Sequence, residues 1–300
     1  MPDILNILNA ALWTVLSRVL RVILPHLFPN TLCFYNVKTH PNVSGKVALT
    51  IDDAFVRSDN RSDSMTEELQ TILRKFGAKV TFFVTLSFSE GRDWKEREIL
   101  KLASDGHELA NHCELDRRYD RDGEATFEGA LTRTDEFIEK IMRMTSTFQS
   151  QSATHRSNSI PNHNPSASSS PIPSSNPSHI RSPNLSLNSN PSGRSFFCRW
   201  FRAPSGRLSE TMTHVLDKHG LKHVLTDCYV NDAHIPFPKW IGWAISKCVQ
   251  EGSIIVLHMP EKGFRQWNII AIEDVLTRLK AQGLRSVTLS DLNKDVIDDD

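Results

Sequence analysis

From residue 46 onward, short apolar runs alternate with stretches of helical spacing. Residues 46–51 form a β-type run that ends on the acidic pair Asp52–Asp53, and residues 79–85 (KVTFFVT) are rich in β-branched and aromatic side chains. Residues 107–111, 199–202, 223–226, 253–258 and 285–289 read as further strands. Between them, 65–76, 96–104, 126–142, 209–219, 239–250 and 269–282 carry apolar positions at helical spacing, the first ended by Gly77. Strands alternating with helices of about 10–15 residues predict an α/β fold, with a parallel sheet and helices outside it. In such folds the chemistry gathers at the carboxyl ends of the strands.

Two segments depart from this alternation. Over residues 4–24, Leu5, Leu8, Leu12, Val15, Val19 and Val22 recur at helical spacing, interrupted by Asn6, Asn9, Arg18 and Arg21. That is an amphipathic helix rather than a clean span of about 20 apolar residues, with Pro25 and Pro29 expected to end it. Residues 1–30 are either a helix packed on the domain or a membrane-surface helix touching lipid through 4–24. The second segment is 146–195. Within it, 18 of the 22 residues from 157 to 178 are Ser, Asn or Pro, too polar to bury the apolar surface that ordering requires. It is expected to be a disordered insertion in one domain made of 31–145 and 196–293.

Composition narrows the function classes. The 35 basic residues balance the 35 acidic ones without a basic block, so a nucleic-acid partner is not expected. The five cysteines, Cys33, Cys113, Cys198, Cys228 and Cys248, show no CxxC spacing and make neither a disulfide framework nor a thiolate zinc site. The sequons at Asn42, Asn60 and Asn184 permit glycosylation in a secretory setting. A membrane-associated or secretory location is favoured over a cytoplasmic one.

Five motifs, in order, each fall at the end of a predicted strand: TIDD (50–53), NHCELD (111–116), RAPSG (202–206), YVNDA (229–233) and LHMP (257–260). The backbone turns where a strand ends, so Asp52 and Asp53 can serve one site in different roles, one free as a base and one binding a metal. His112 and Asp116 are four apart, and on a helical turn they would share a face suited to a divalent ion. Arg202, at the mouth of an apolar strand, needs a carboxylate partner, with Asp52 and Asp232 the candidates. Pro204 and Gly206 make a rigid turn able to aim the Ser205 backbone N–H into the site. Tyr229, which opens the fourth motif, joins Pro204 and Ser205 as a candidate substrate or oxyanion contact. His258 closes an apolar strand as a proton donor.

These ordered motifs resemble those of the polysaccharide deacetylase family, metal-dependent carbohydrate esterases that remove N- or O-acetyl groups from glycans. The similarity runs over roughly 47–292 without the insertion. The resemblance implies a distorted (β/α) barrel. It implies Asp52 as general base, Asp53 and His112 as metal ligands, and Arg202 positioning the base. It also implies Asp232 paired with that arginine and His258 as general acid. Asp116 stands where the family has a second histidine and would complete a three-residue site for zinc, or for cobalt, nickel or manganese. Ala54 replaces a usual glycine, Ser205 a common aromatic and Ala233 a usual tryptophan, which suggests a divergent subgroup with an altered pocket. The expected substrate is an acetylated oligo- or polysaccharide. The alternatives are a catalytically impaired homologue that binds a glycan or a partner, and a hydrolase of a small amide.

Overall fold

The computed structural model describes residues 4–157 and 199–297. Its strands are β1 (Thr31–Leu32), β2 (Lys46–Ala54), β3 (Thr81–Val84), β4 (Glu108–Asn111), β5 (Trp200–Phe201), β6 (Lys222–Val224), β7 (Ile254–His258) and β8 (Arg285–Val287). The helices are α1 (Ile4–Leu27), α2 (Thr66–Phe76), α3 (Leu86–Ser89), α4 (Asp93–Ser104), α5 (Glu124–Ser157), α6 (Glu210–His219), α7 (Pro238–Cys248), α8 (Asn268–Ala281) and α9 (Leu289–Ile297). All pairings between these strands are parallel, in the order β1-β6-β5-β4-β3-β2-β7, with β8 paired to the first residues of β2. Single bridges from Phe34 to Ser253 and from Cys228 to Ile255 bring the two ends of the sheet together. The result is the predicted distorted (β/α) barrel.

The two-residue period of a strand divides the core into two layers. Val47, Leu49 and Ile51 of β2, Phe82 and Val84 of β3, Leu109, Phe201, Ile255 and Leu257 pack outward against the helices. Ala48, Phe83, Ala110, Trp200, Val224 and Ile254 form a smaller inner cluster. Continuing the inner parity toward the carboxyl ends gives Thr50 and Asp52, His112, Arg202 and His258. The same alternation that builds the interior thus delivers these five polar side chains toward one mouth of it.

The opposite mouth is plugged by α9, where Leu289 and Leu292 join the inner cluster and the Tyr35 hydroxyl donates to Asn293 Oδ1 at 2.6 Å. That helix begins within the predicted strand 285–289: β8 is shorter, and LSDLNKDVI takes helical form because it covers the barrel floor. Helix α2 ends at Gly77, whose φ of +59° places it in the left-handed conformation glycine tolerates best.

Helix α1 runs through Pro25 rather than stopping there. It lies on the domain by its polar edge. Arg21 Nε donates to Asp227 Oδ2 at 2.7 Å and Nη2 to Ser253 Oγ at 2.8 Å, Ser17 is buried, and Trp13 meets Trp240 edge-on at 6.1 Å. Val15, Val19, Val22 and Ile23 face outward. No helix among the described residues is long and apolar enough to cross a membrane. Helix α5 continues to Ser157, past the expected boundary near residue 145. The rest of the Ser/Asn/Pro segment lies outside the described residues.

Candidate active site

The strand β2 ends irregularly. Its register with β3 shifts between Ile51 and Ala54, and Asp53 adopts φ +53°, a left-handed conformation that Asp accepts more readily than most residues. The strict alternation is broken there, so both neighbouring carboxylates stay at the mouth, each 6 % exposed.

Asp52 points across the interior to Arg202. Arg202 Nη1 donates to Asp52 Oδ1 at 2.5 Å and to Thr50 Oγ1 at 2.8 Å. Its Nε and Nη2 donate to the Val224 and Leu225 carbonyls, each at 3.1 Å. The Phe83 ring lies 4.0 Å beneath the guanidinium. Five contacts, from β2, β3 and the end of β6, hold one planar group, and through it one oxygen of Asp52.

On the neighbouring strand, Asp52 and His258 are direct register partners of β2 and β7. His258 Nδ1 donates to Asp232 Oδ1 at 2.9 Å, and the His258 backbone N–H donates to Oδ2 at 2.8 Å. Asp232 is fully buried and also accepts from Asn268 Nδ2 at 2.6 Å. Trp267 Nε1 donates to the Asp232 carbonyl at 3.0 Å. Burial pulls the His258 imidazole down, but the Asp232 charge and hydrogen bond, helped by Asp52 and Asp53, leave it above its ordinary value. A raised imidazole is the form that can donate a proton. Contrary to what the resemblance implied, Asp232 does not pair with Arg202. The N–H groups of Arg202 are met by Asp52, Thr50 and two carbonyls, and Asp232 lies above β7, where it orients the imidazole instead.

Asp53 and His112 meet as expected, with His112 Nε2 3.6 Å from Asp53 Oδ1. His112 Nδ1 donates to the Arg202 carbonyl at 2.7 Å, which fixes the ring and turns Nε2 toward Asp53. Burial lowers the His112 pKa, and the two aspartates more than reverse it. Burial would raise the Asp53 pKa, but His112, His258 and Arg265 hold that carboxyl well below the usual carboxylate range.

The third expected ligand is elsewhere. Residues 112–118 are not helical and Cys113 has φ +66°, so the four-residue spacing does not bring His112 and Asp116 onto one face. Asp116 is 36 % exposed at its side chain and pairs with Arg57 Nη2 at 2.8 Å. The other oxygen of Asp53 is taken by Arg265 Nη1 at 2.5 Å, with Arg57 Nη2 a further 3.6 Å contact. A divalent ion needs three protein donors or a carboxylate-rich shell. Here one carboxylate and one imidazole stand against two guanidiniums, and no cluster of three metal-binding side chains exists among the described residues. The residues present do not fit a divalent ion.

The remaining expected residues line the rim. Pro204 is buried, while Ser205 is exposed at φ +59° and its hydroxyl donates to the Pro204 carbonyl at 2.6 Å. Tyr229 is 42 % exposed, with its ring 6.1 Å from that of His258. Arg57, Arg265 and Asn268 were not anticipated. Their signal in the sequence is slight: an arginine four residues beyond the acidic pair, and RQWN following the last motif.

Residues 40–157 match the family model described as polysaccharide deacetylase. The chain has the polysaccharide deacetylase fold. The matched stretch holds Asp52, Asp53, His112 and Asp116; Arg202, Asp232 and His258 lie beyond it. Among solved structures, PdaA of Bacillus subtilis, a family 4 carbohydrate esterase, aligns with TM-score 0.60 at 19 % identity, covering 91 % of this chain and 89 % of that one. A family 4 acetyl xylan esterase from Clostridium thermocellum, in complex with a cobalt ion, aligns with TM-score 0.55 at 21 % identity over 83 % of this chain and 90 % of that one. A family 4 pseudoenzyme from Bacillus anthracis aligns with TM-score 0.54 at 17 % identity over 83 % and 65 %. No curated protein sequence matches the chain.

Proposed function

We propose that this chain is a hydrolase that removes acetyl groups from an N- or O-acetylated carbohydrate. One observation carries the reading: two carboxylate-centred pairs, Arg202–Asp52 and Asp232–His258, project side by side from the ends of adjacent strands. A binding surface has no need of a guanidinium holding a carboxylate beside an aspartate holding an imidazole. An acid–base hydrolase needs both.

In this scheme Arg202 occupies Oδ1 of Asp52, and the other carboxylate oxygen accepts a proton from water. The water oxygen attacks the acetyl carbonyl carbon. The bond from that carbon to the sugar nitrogen or oxygen breaks as His258 gives its proton to the leaving atom, and Asp232 stabilises the imidazolium beforehand. The products are acetate and a free amine or hydroxyl. Tyr229, exposed beside His258, is a platform for a sugar ring, and the Pro204–Gly206 turn forms a second wall. The test is acetate release from acetylated chitooligosaccharides and acetylated xylooligosaccharides, followed with an enzyme-coupled acetate assay. Turnover of either supports the reading.

A second reading has its own support. The guanidiniums on Asp53 alter the shell from which a metal-dependent esterase would work, and one structural relative is a pseudoenzyme. Saturable binding of the same oligosaccharides by calorimetry, with no acetate released from either, would favour a glycan-binding homologue.

A further inference from the structure

We propose that Arg265 is the resident cation of this site. Its guanidinium takes the carboxylate at which a divalent ion would bind, and its remaining N–H groups meet the acyl oxygen of the substrate. The inference rests on the hydrolase reading for its second half only.

The placement of Arg265 is built, not incidental. The residue is 8 % exposed and sits at φ +54°, a conformation uncommon for a side chain of this size. The loop that imposes it is fastened on both sides. Glu261 and Phe264 bridge each other, and the Asn268 N–H donates to the Arg265 carbonyl at 2.9 Å. Glu261 accepts from the backbone N–H groups of Arg57 and Ser58, each at 2.9 Å, locking this loop to the one that follows β2. Phe264 then stacks on both guanidiniums, 4.2 Å from Arg57 and 4.6 Å from Arg265. Arg57 is also stacked on Phe88 at 4.7 Å and bridges Asp53 to Asp116. The two arginines together neutralise both carboxylates that an ion would require.

Arg265 also has donors to spare. Nη1 is committed to Asp53, while Nε is buried and makes no hydrogen bond among the described residues. A buried guanidinium N–H without an acceptor is costly to keep, and in this proposal Arg265 keeps such donors for the acyl oxygen. Preorganised positive charge at a developing oxyanion is worth more in a water-poor site than in solution. A guanidinium supplies that charge as a planar array of donors that cannot be deprotonated near neutral pH.

The test separates the two halves. Zinc binding is measured by titration calorimetry on the wild-type protein, Asp53→Asn, Arg265→Met and Arg265→Lys. The quantity read is the zinc binding that Asp53→Asn abolishes. Wild-type and Arg265→Lys should show none tighter than about 100 μM, and Arg265→Met should bind at least tenfold more tightly than wild-type. Arg265→Gln substitutes if the methionine variant does not fold. Stoichiometric, Asp53-dependent zinc on the wild-type chain at micromolar affinity would overturn the proposal, as would an Arg265→Met protein no better than wild-type. Turnover supplies the other half. Acetate release should persist in EDTA, and Arg265→Lys should lower kcat at least tenfold with KM within threefold. An unchanged kcat would remove Arg265 from the reaction. A wild-type protein with no turnover would count against the hydrolase reading and leave the zinc comparison to decide this one.

Discussion

Replacing either member of the Arg202–Asp52 pair should destabilise the protein strongly, and replacing both should cost much less than the two added together. Their side chains are 4 % and 8 % exposed, so neither charge can be handed to water. Arg202→Met leaves the Asp52 carboxylate buried without its cation and strips the donors from the Val224 and Leu225 carbonyls. Asp52→Asn leaves the guanidinium with neutral acceptors only, though Asn can still accept from Nη1. Removing one partner of a buried pair costs about 3–5 kcal/mol. The arginine variant belongs at the upper end, because it also orphans two carbonyls, and the asparagine variant at or below the lower end. In the double variant no unpaired charge remains, so the coupling should reach at least about 2 kcal/mol. Urea unfolding followed by far-UV circular dichroism gives all four free energies. Single variants within about 1 kcal/mol of wild-type, or costs that add to within about 0.5 kcal/mol, would show that the two residues do not act as a buried pair.

Three further outcomes follow from other parts of the structure. Gly252→Ala should destabilise by about 3 kcal/mol in the same unfolding assay, because Gly252 has φ +75° and an added Cβ would lie 2.1 Å from the Tyr35 carbonyl oxygen; a loss below about 1 kcal/mol would contradict the packing. Burial, with Lys79 nearby, lowers the His107 pKa from 6.5 to about 4, so the unfolded chain binds the extra proton between those values. Stability should fall by about 3 kcal/mol as pH drops from 6.5 to 4 on account of this residue, and His107→Gln should flatten that part of a Tm–pH profile; an unflattened profile would contradict the assignment. Arg21→Met should cost about 3 kcal/mol by leaving Asp227 buried without its cation; a Tm unchanged from wild-type would show that α1 does not dock through this pair.

Much of the fold was legible because it rests on local pattern. The runs at 46–51, 79–85 and 253–258 became β2, β3 and β7 with boundaries shifted by a few residues. The two-residue period that marks them as strands also places Asp52 and His258 on the inner face. The end of α2 at Gly77 was equally local. What escaped depends on contacts between distant segments. Helix α9 is helical because the barrel floor needs Leu289 and Leu292, and nothing near 289 announces that. His112 and Asp116 suggested a shared helical face, but the chain after β4 turns at Cys113 instead. Arg57 and Arg265 are 208 positions apart in sequence, and only the docking of one loop on the other brings both to Asp53. The pairing of Asp232 with His258 instead of Arg202 likewise follows from how the 229–233 loop lies over β7.

The hydrolase reading stands or falls on Asp52 and His258 acting as base and acid. The most direct measurement is steady-state acetate release by the wild-type chain and by Asp52→Asn and His258→Gln, on the acetylated oligosaccharide that binds best by calorimetry. Wild-type should turn over, each variant should lose kcat by roughly 10²–10⁴-fold, and both should retain binding. Variants that turn over at the wild-type rate, or a wild-type chain that binds the sugar and releases no acetate, would contradict the hydrolase reading.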